Sequence, residues 1–205
     1  MSARPRLLVL IIFGIPFTLG MAIVTYWYIS NRVEKKVLLP TYGTVPEFRL
    51  TSEERSPVSR RQLLGKITIA DFIFTQCAGA CPVMSSKMSE LQQSLLADPH
   101  AQFVSISVDP ETDTPEVLRQ YAKQYGAVSG RWRFLTGDRT AIYGLTRDGF
   151  HLGLDIEGDS AIIHSQKFVL IDQEAGIRGY YDMDDSDAVR SLLHDTRILS
   201  SRVDR

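Results

Sequence analysis

The stretch from Ile67 to Cys81 constrains this chain more than any other. Ile67–Thr75 reads Ile-Thr-Ile-Ala-Asp-Phe-Ile-Phe-Thr, the pattern of a buried strand. Cys77-Ala78-Gly79-Ala80-Cys81 follows at once, and Pro82 suits the first position of a helix. Val83 or Met84, Met88, Leu91 and Leu95 then recur at helical spacing. A core strand must therefore run into a cysteine loop and out into a helix.

The remaining elements extend that theme. Phe48–Thr51 and Val58–Leu63 flank the polar turn Ser52–Pro57 and predict a short hairpin. Phe103–Val108 reads as a second buried strand. Asp113-Thr114-Pro115-Glu116 is a helix start with Thr114 as cap, and Val117, Leu118, Tyr121, Ala122 and Tyr125 form that helix's apolar stripe. Arg131–Leu135 predicts a strand and Arg139–Leu145 a short helix. Ile162–Asp172 and Ile177–Asp182 predict a hairpin across Gln173–Gly176, and Asp185 or Ser186 caps a last helix reaching about Leu199. Strands alternating with helices, then a hairpin and a helix, describe an α/β sandwich with a mixed central sheet, the thioredoxin-like arrangement. In such sheets the carboxyl ends of strands, where loops meet helix N-termini, host chemistry.

The chain has two cysteines, both in this loop. A bridge between them would close a very short loop and add little stability through chain entropy. The pair therefore reads as a metal site, a redox couple or both, against the alternative of two buried core thiols. Cys81 is expected at the cap or first turn of the helix, where unpaired N–H groups stabilise a thiolate. If the loop curls into a helical turn, Cys77 and Cys81 stand at i and i+4 and converge. Two thiolates favour Cu(I), with Zn(II) as competitor, and such a site wants a third ligand.

Among four histidines, His100 and His194 read as solvated and His151 is ambiguous. His164, in Ala161-Ile162-Ile163-His164-Ser165, brings a polar ring into the start of a buried strand. It reads as a ligand facing the cysteine loop or as a hydrogen-bonded core histidine. Asp71 interrupts the first core strand, where a carboxylate must be paired or protonated. It could relay protons to a thiol or orient a ligand; equally, it could anchor a backbone turn. Met84 and Met88 fall on an apolar stripe and read as core.

Leu7–Ile29 carries no charge, and as a helix it would be roughly 34 Å long, enough to cross a bilayer core of about 30 Å. Arg4 and Arg6 precede it and Tyr26, Trp27 and Tyr28 form an aromatic collar. The expectation is an uncleaved anchor over 1–30, a tether over 31–45 and one domain over 46–205. Residues 37–205 carry 18 basic and 23 acidic side chains, which argues against a nucleic-acid surface.

The chain resembles the Sco/SenC family of membrane-anchored copper proteins. The matching segments are Ala70-Asp71-Phe72-Ile73-Phe74-Thr75-Gln76-Cys77-x-x-x-Cys81-Pro82, Val104-Ser105-Ile106-Ser107-Val108-Asp109-Pro110 followed by Asp113-x-Pro115, Trp132-x-Phe134-Leu135-Thr136-Gly137, and Ile162-Ile163-His164-Ser165 leading into Phe168-Val169-Leu170-Ile171-Asp172. The resemblance implies a thioredoxin-like fold and a copper site, Cu(I) or Cu(II), built from Cys77, Cys81 and His164. It also implies a role in assembling the dinuclear copper centre of cytochrome c oxidase subunit II, by delivering copper or by reducing that subunit's cysteines. No proline stands between Asp155 and Asp172, where thioredoxins proper carry a cis-proline. The Ala78-Gly79-Ala80 spacer departs from relatives that carry polar, acidic or proline residues there.

The expected protein is thus a single-pass protein of the inner membrane, its domain on the outer, periplasmic side, served by a thiol reductant. It would be a metallochaperone rather than an enzyme that turns over. The alternative is a membrane-tethered thiol–disulfide oxidoreductase, with one cysteine attacking and the other resolving; a thiol peroxidase on the same fold is a third reading.

Overall fold

The computed structural model describes residues 20–25, 39–152, 155–157, 160–162 and 166–203. The chain divides into two compact units, residues 1–38 and 39–205. Of the first, residues 20–25 are helical. The expected span over 7–29 otherwise lies outside the described residues, and among those described no helix is long and apolar enough to cross a membrane.

The second unit is built on an eight-stranded sheet. Its strands are β1 (Gly43–Thr44), β2 (Arg49–Ser52), β3 (Pro57–Ser59), β4 (Ile67–Ile73), β5 (Ala101–Ser107), β6 (Trp132–Thr136), β9 (Lys167–Ile171) and β10 (Gly176–Asp182). A separate two-stranded sheet pairs β7 (Asp155–Glu157) with β8 (Ser160–Ile162). The helices are α1 (Ala80–Ser94), α2 (Pro115–Gln124), α3 (Arg139–Gly144) and α4 (Ser186–Val203).

The sheet order is β1-β10-β9-β4-β5-β6-β2-β3. β4, β5 and β6 are parallel neighbours, joined by α1 and α2, because parallel strands need a crossover long enough to return the chain. The outer strands pair antiparallel on both sides, so the sheet is mixed.

Every residue of β4 and β5 is buried, as strands covered on both faces must be. Side chains alternate between two cores. Ile69, Ile73 and Phe103 join Met84, Met88, Leu91, Leu118 and Leu192 beneath α1, α2 and α4. Ala70, Phe72, Val104 and Ile106 join Leu50, Ile142, Phe150 and Val169 on the other face. Met84 and Met88 are thus core residues.

Three elements differ from what the sequence predicts, the first two through pairing at a distance. The stretch expected as a tether ends inside the domain: Gly43–Thr44 pairs with β10, and Val45 is fully buried. Arg178 holds this approach in place, donating to the Leu39 carbonyl (3.0 Å) and the Thr41 hydroxyl (2.6 Å) while bound to Asp172 (2.5 Å). The strand expected over Ile162–Asp172 is two elements, with Ile162 ending β8 and the ladder to β4 carried by Lys167–Ile171. Finally, α1 begins at Ala80, two residues before Pro82, because a proline within the first turn costs no internal hydrogen bond.

Candidate metal centre

The cysteine loop leaves β4 at its carboxyl end and turns straight into α1. Gly79 is the N-cap and offers no side-chain acceptor, so the first N–H groups of the helix need another partner. The N–H groups of Cys81, Gly79 and Ala80 lie near enough to the Cys77 sulfur to favour its thiolate. The backbone N–H of Cys77 closes the loop by donating to the Phe74 carbonyl at 3.2 Å.

The two thiols are free and unlike. Partial burial works against a Cys77 thiolate. The helix N–H groups and the Cys81 thiol outweigh that burial, so its pKa lies below the ordinary thiol value. Burial pushes the Cys81 thiol up to about 12, and the neighbouring Cys77 and Asp71 charges add to it; the Phe74 N–H opposes them. The Cys81 S–H faces the Cys77 sulfur, so of the two thiols half-exposed Cys77 is the one that ionises more readily.

Cys81 lies in the first turn of α1, as expected, but its side chain is turned into the core and burial disfavours its thiolate; the N–H groups of that turn favour a charge on Cys77, four residues earlier.

Asp71 lies in phase with Ile69 and Ile73 and therefore faces the α1 side. It is fully buried, and neither carboxylate oxygen has a hydrogen-bond partner. Burial raises its pKa to about 7, opposed by the nearby Ser105 hydroxyl and its own N–H. Ser105 stands opposite it on β5 and accepts from the Trp132 indole at 2.9 Å. On the same face the Ser85 and Tyr121 hydroxyls meet at 3.0 Å. Cys81 thus rests on a small buried polar seam.

A second carboxylate at this end of the sheet went unread in the sequence. Asp113 is also fully buried. It accepts from the Thr75 N–H (3.1 Å), the Thr75 hydroxyl (2.5 Å) and the Ser107 hydroxyl (2.5 Å). The available signal was redundancy: Asp113 and Thr114 can both cap, but Thr114 alone caps α2, accepting from the Val117 N–H.

His164 lies outside the described residues. Among the described residues no cluster of three or more His, Cys, Asp or Glu side chains could hold a metal. Two neighbouring sulfurs, one of them favoured as thiolate, suit a soft monovalent ion. His151 is exposed and packs near Gly43, and His194 is exposed on α4.

The sequence model of the SCO1/SenC family matches residues 39–197. The chain is 30% identical over 165 residues to a SCO1 protein homolog of Bacillus subtilis, covering 79% of this chain and 86% of that one. It superposes with a TM-score of 0.71 at 29% identity on BsSco, described as carrying a disulfide switch and as a member of the Sco family of cytochrome c oxidase assembly proteins; the match covers 80% of this chain and 98% of BsSco. Copper-bound ScoI of Arabidopsis thaliana superposes with a TM-score of 0.64 at 25% identity, over 78% of this chain and 98% of that one. The mixed sheet and its helices are thus those of the thioredoxin-like Sco structures.

Proposed function

The chain belongs to the SCO1/SenC family, and on that footing we propose that it is a copper-binding factor in the assembly of cytochrome c oxidase. Cys77 and Cys81 supply two sulfurs and His164 the third ligand. Copper is the cargo, held by the reduced thiols and passed by ligand exchange to cysteines of the dinuclear centre in subunit II. The N-terminal apolar segment anchors the domain at the outer face of the inner membrane, where a thiol reductant keeps the pair reduced.

One observation carries this reading: two free thiols four residues apart stand at a helix N-terminus, with the helix N–H groups favouring a thiolate at Cys77 and burial keeping the proton on Cys81. Cys77, half-exposed and the more acidic of the two thiols, is the first ligand for an incoming ion. Cys81 gives up its proton only when a positive charge replaces it, so metal capture releases a proton. A soft ion bound there keeps the fixed N–H groups around one sulfur and leaves the outer side open for a partner's ligand.

Anaerobic titration with copper, reduced protein against oxidised, tests the proposal. A stoichiometric sulfur-to-copper charge-transfer band in the reduced form alone is expected; equal behaviour of the two forms contradicts it.

The asymmetry of the pair also favours a second reading, a thiol–disulfide reductase. Cys77 would attack a partner disulfide, releasing one partner sulfur as thiolate. Cys81 would then attack the mixed disulfide, leaving a Cys77–Cys81 bridge and a fully reduced partner. His164→Ala separates the two readings. Copper handling collapses under the first, while disulfide reduction persists under the second.

A further inference from the structure

Thr75 lies two residues before Cys77, at the point where the chain has left β4 and has no ladder partner of its own. Its N–H and its hydroxyl both turn to the Asp113 carboxylate. Asp113 is itself held firmly. Its N–H donates to the Asp109 carbonyl at 2.9 Å, it abuts the capped start of α2, and its second oxygen takes the Ser107 hydroxyl. Ser107 in turn accepts from the Asp109 N–H at 3.1 Å, and the Val108 N–H extends the sheet by bonding the Ile73 carbonyl at 2.9 Å. The carboxylate is thus a fixed post on the β5–α2 connection, and the cysteine loop is tied to it.

We propose that Asp113 is a positioning residue for the thiol site: its bonds to Thr75 lock the start of the Cys77 loop, so that the Cys77 sulfur stays against the first turn of α1. The inference rests on the thiol site proposed for copper. A loop of this kind, rich in small residues, has no side-chain packing to hold it; Ala78 and Gly79 are exposed. Without the post, the loop could move Cys77 away from the first turn of α1, and the two sulfurs would no longer be presented as one chelating pair. The clamp lies at the loop's stem and touches neither sulfur, so it sets geometry and leaves the ligand set unchanged.

The test compares Asp113→Asn, Thr75→Val and Thr75→Ser with a cavity variant on the opposite core, Leu50→Ala. Asparagine places an amide N–H against a donor, valine deletes the hydroxyl alone, and serine restores it. Hydrogen exchange is read at the Cys77 amide, whose own bond to Phe74 is intact in every variant, and copper(II) chloride binding is followed by its charge-transfer band in the reduced protein. Asp113→Asn is expected to speed Cys77 exchange at least tenfold relative to amides in α4 and to weaken copper at least tenfold. Thr75→Val falls between, Thr75→Ser matches wild type, and Leu50→Ala changes neither ratio. Cys77 exchange that rises only in step with α4, or copper affinity that is unchanged while exchange rises, overturns the proposal. Should Asp113→Asn fail to fold, the valine–serine pair decides alone. If the wild-type protein binds no copper, the copper reading fails, and the exchange comparison still judges the clamp.

Discussion

Two carboxylates are buried at one end of this sheet, and they live in opposite ways. Asp113 gathers three donors from two chain segments. Asp71, equally inaccessible, has only the Ser105 hydroxyl beside it, outside good hydrogen-bond geometry, and keeps its proton to near neutrality because burial disfavours the charge. Burial alone therefore says little about a carboxylate; the donors around it decide. The first builds the loop that carries Cys77. The second sits beneath Cys81 as a group that can change charge close to neutral pH.

Removal should separate the pair by sign. Asp113→Ala strands two hydroxyls and a backbone N–H, and is expected to cost about 3–5 kcal/mol in urea unfolding at pH 7. Asp71→Asn should instead gain on wild type as pH rises. The folded protein holds a proton there that the unfolded chain releases near pH 4. The stability due to Asp71 is therefore complete below that pH and is lost as pH climbs through about 7. Between pH 5 and 8 the variant should gain about 2 kcal/mol on wild type, read from paired unfolding curves. A flat difference across that range would mean that Asp71 is already ionised at pH 5, and the contrast with Asp113 would fall.

Smaller changes sharpen the same comparison. Thr75→Val removes one donor from Asp113 and leaves the backbone N–H, for an expected loss of about 1 kcal/mol. Tyr121→Phe deletes the partner of Ser85 on the Asp71 side and should cost less than about 1 kcal/mol, since the Ser85 hydroxyl alone is stranded.

What the sequence made legible was local. The buried run Ile67–Thr75, the Thr114 cap and the Gln173–Gly176 turn each declare themselves through neighbouring residues, and each stands where expected. The meeting of Cys77 and Cys81 followed from a spacing of four. The division of labour within that pair did not, because it depends on which sulfur the first N–H groups of α1 face. The Asp113–Thr75 tie joins residues 38 apart, and the pairing of Gly43–Thr44 with β10 spans most of the chain. Such partners are chosen by the folded arrangement, and no local pattern announces them. His164 was singled out by residue type and family likeness, and its place lies outside the described residues.

X-ray absorption at the copper edge, on reduced protein loaded with one equivalent of copper, tests the account at its centre. A first shell of two sulfurs and one imidazole nitrogen, losing the nitrogen in His164→Ala and a sulfur in Cys77→Ser or Cys81→Ser, is the expected result. A shell of nitrogen and oxygen alone, unchanged by either cysteine substitution, would contradict it.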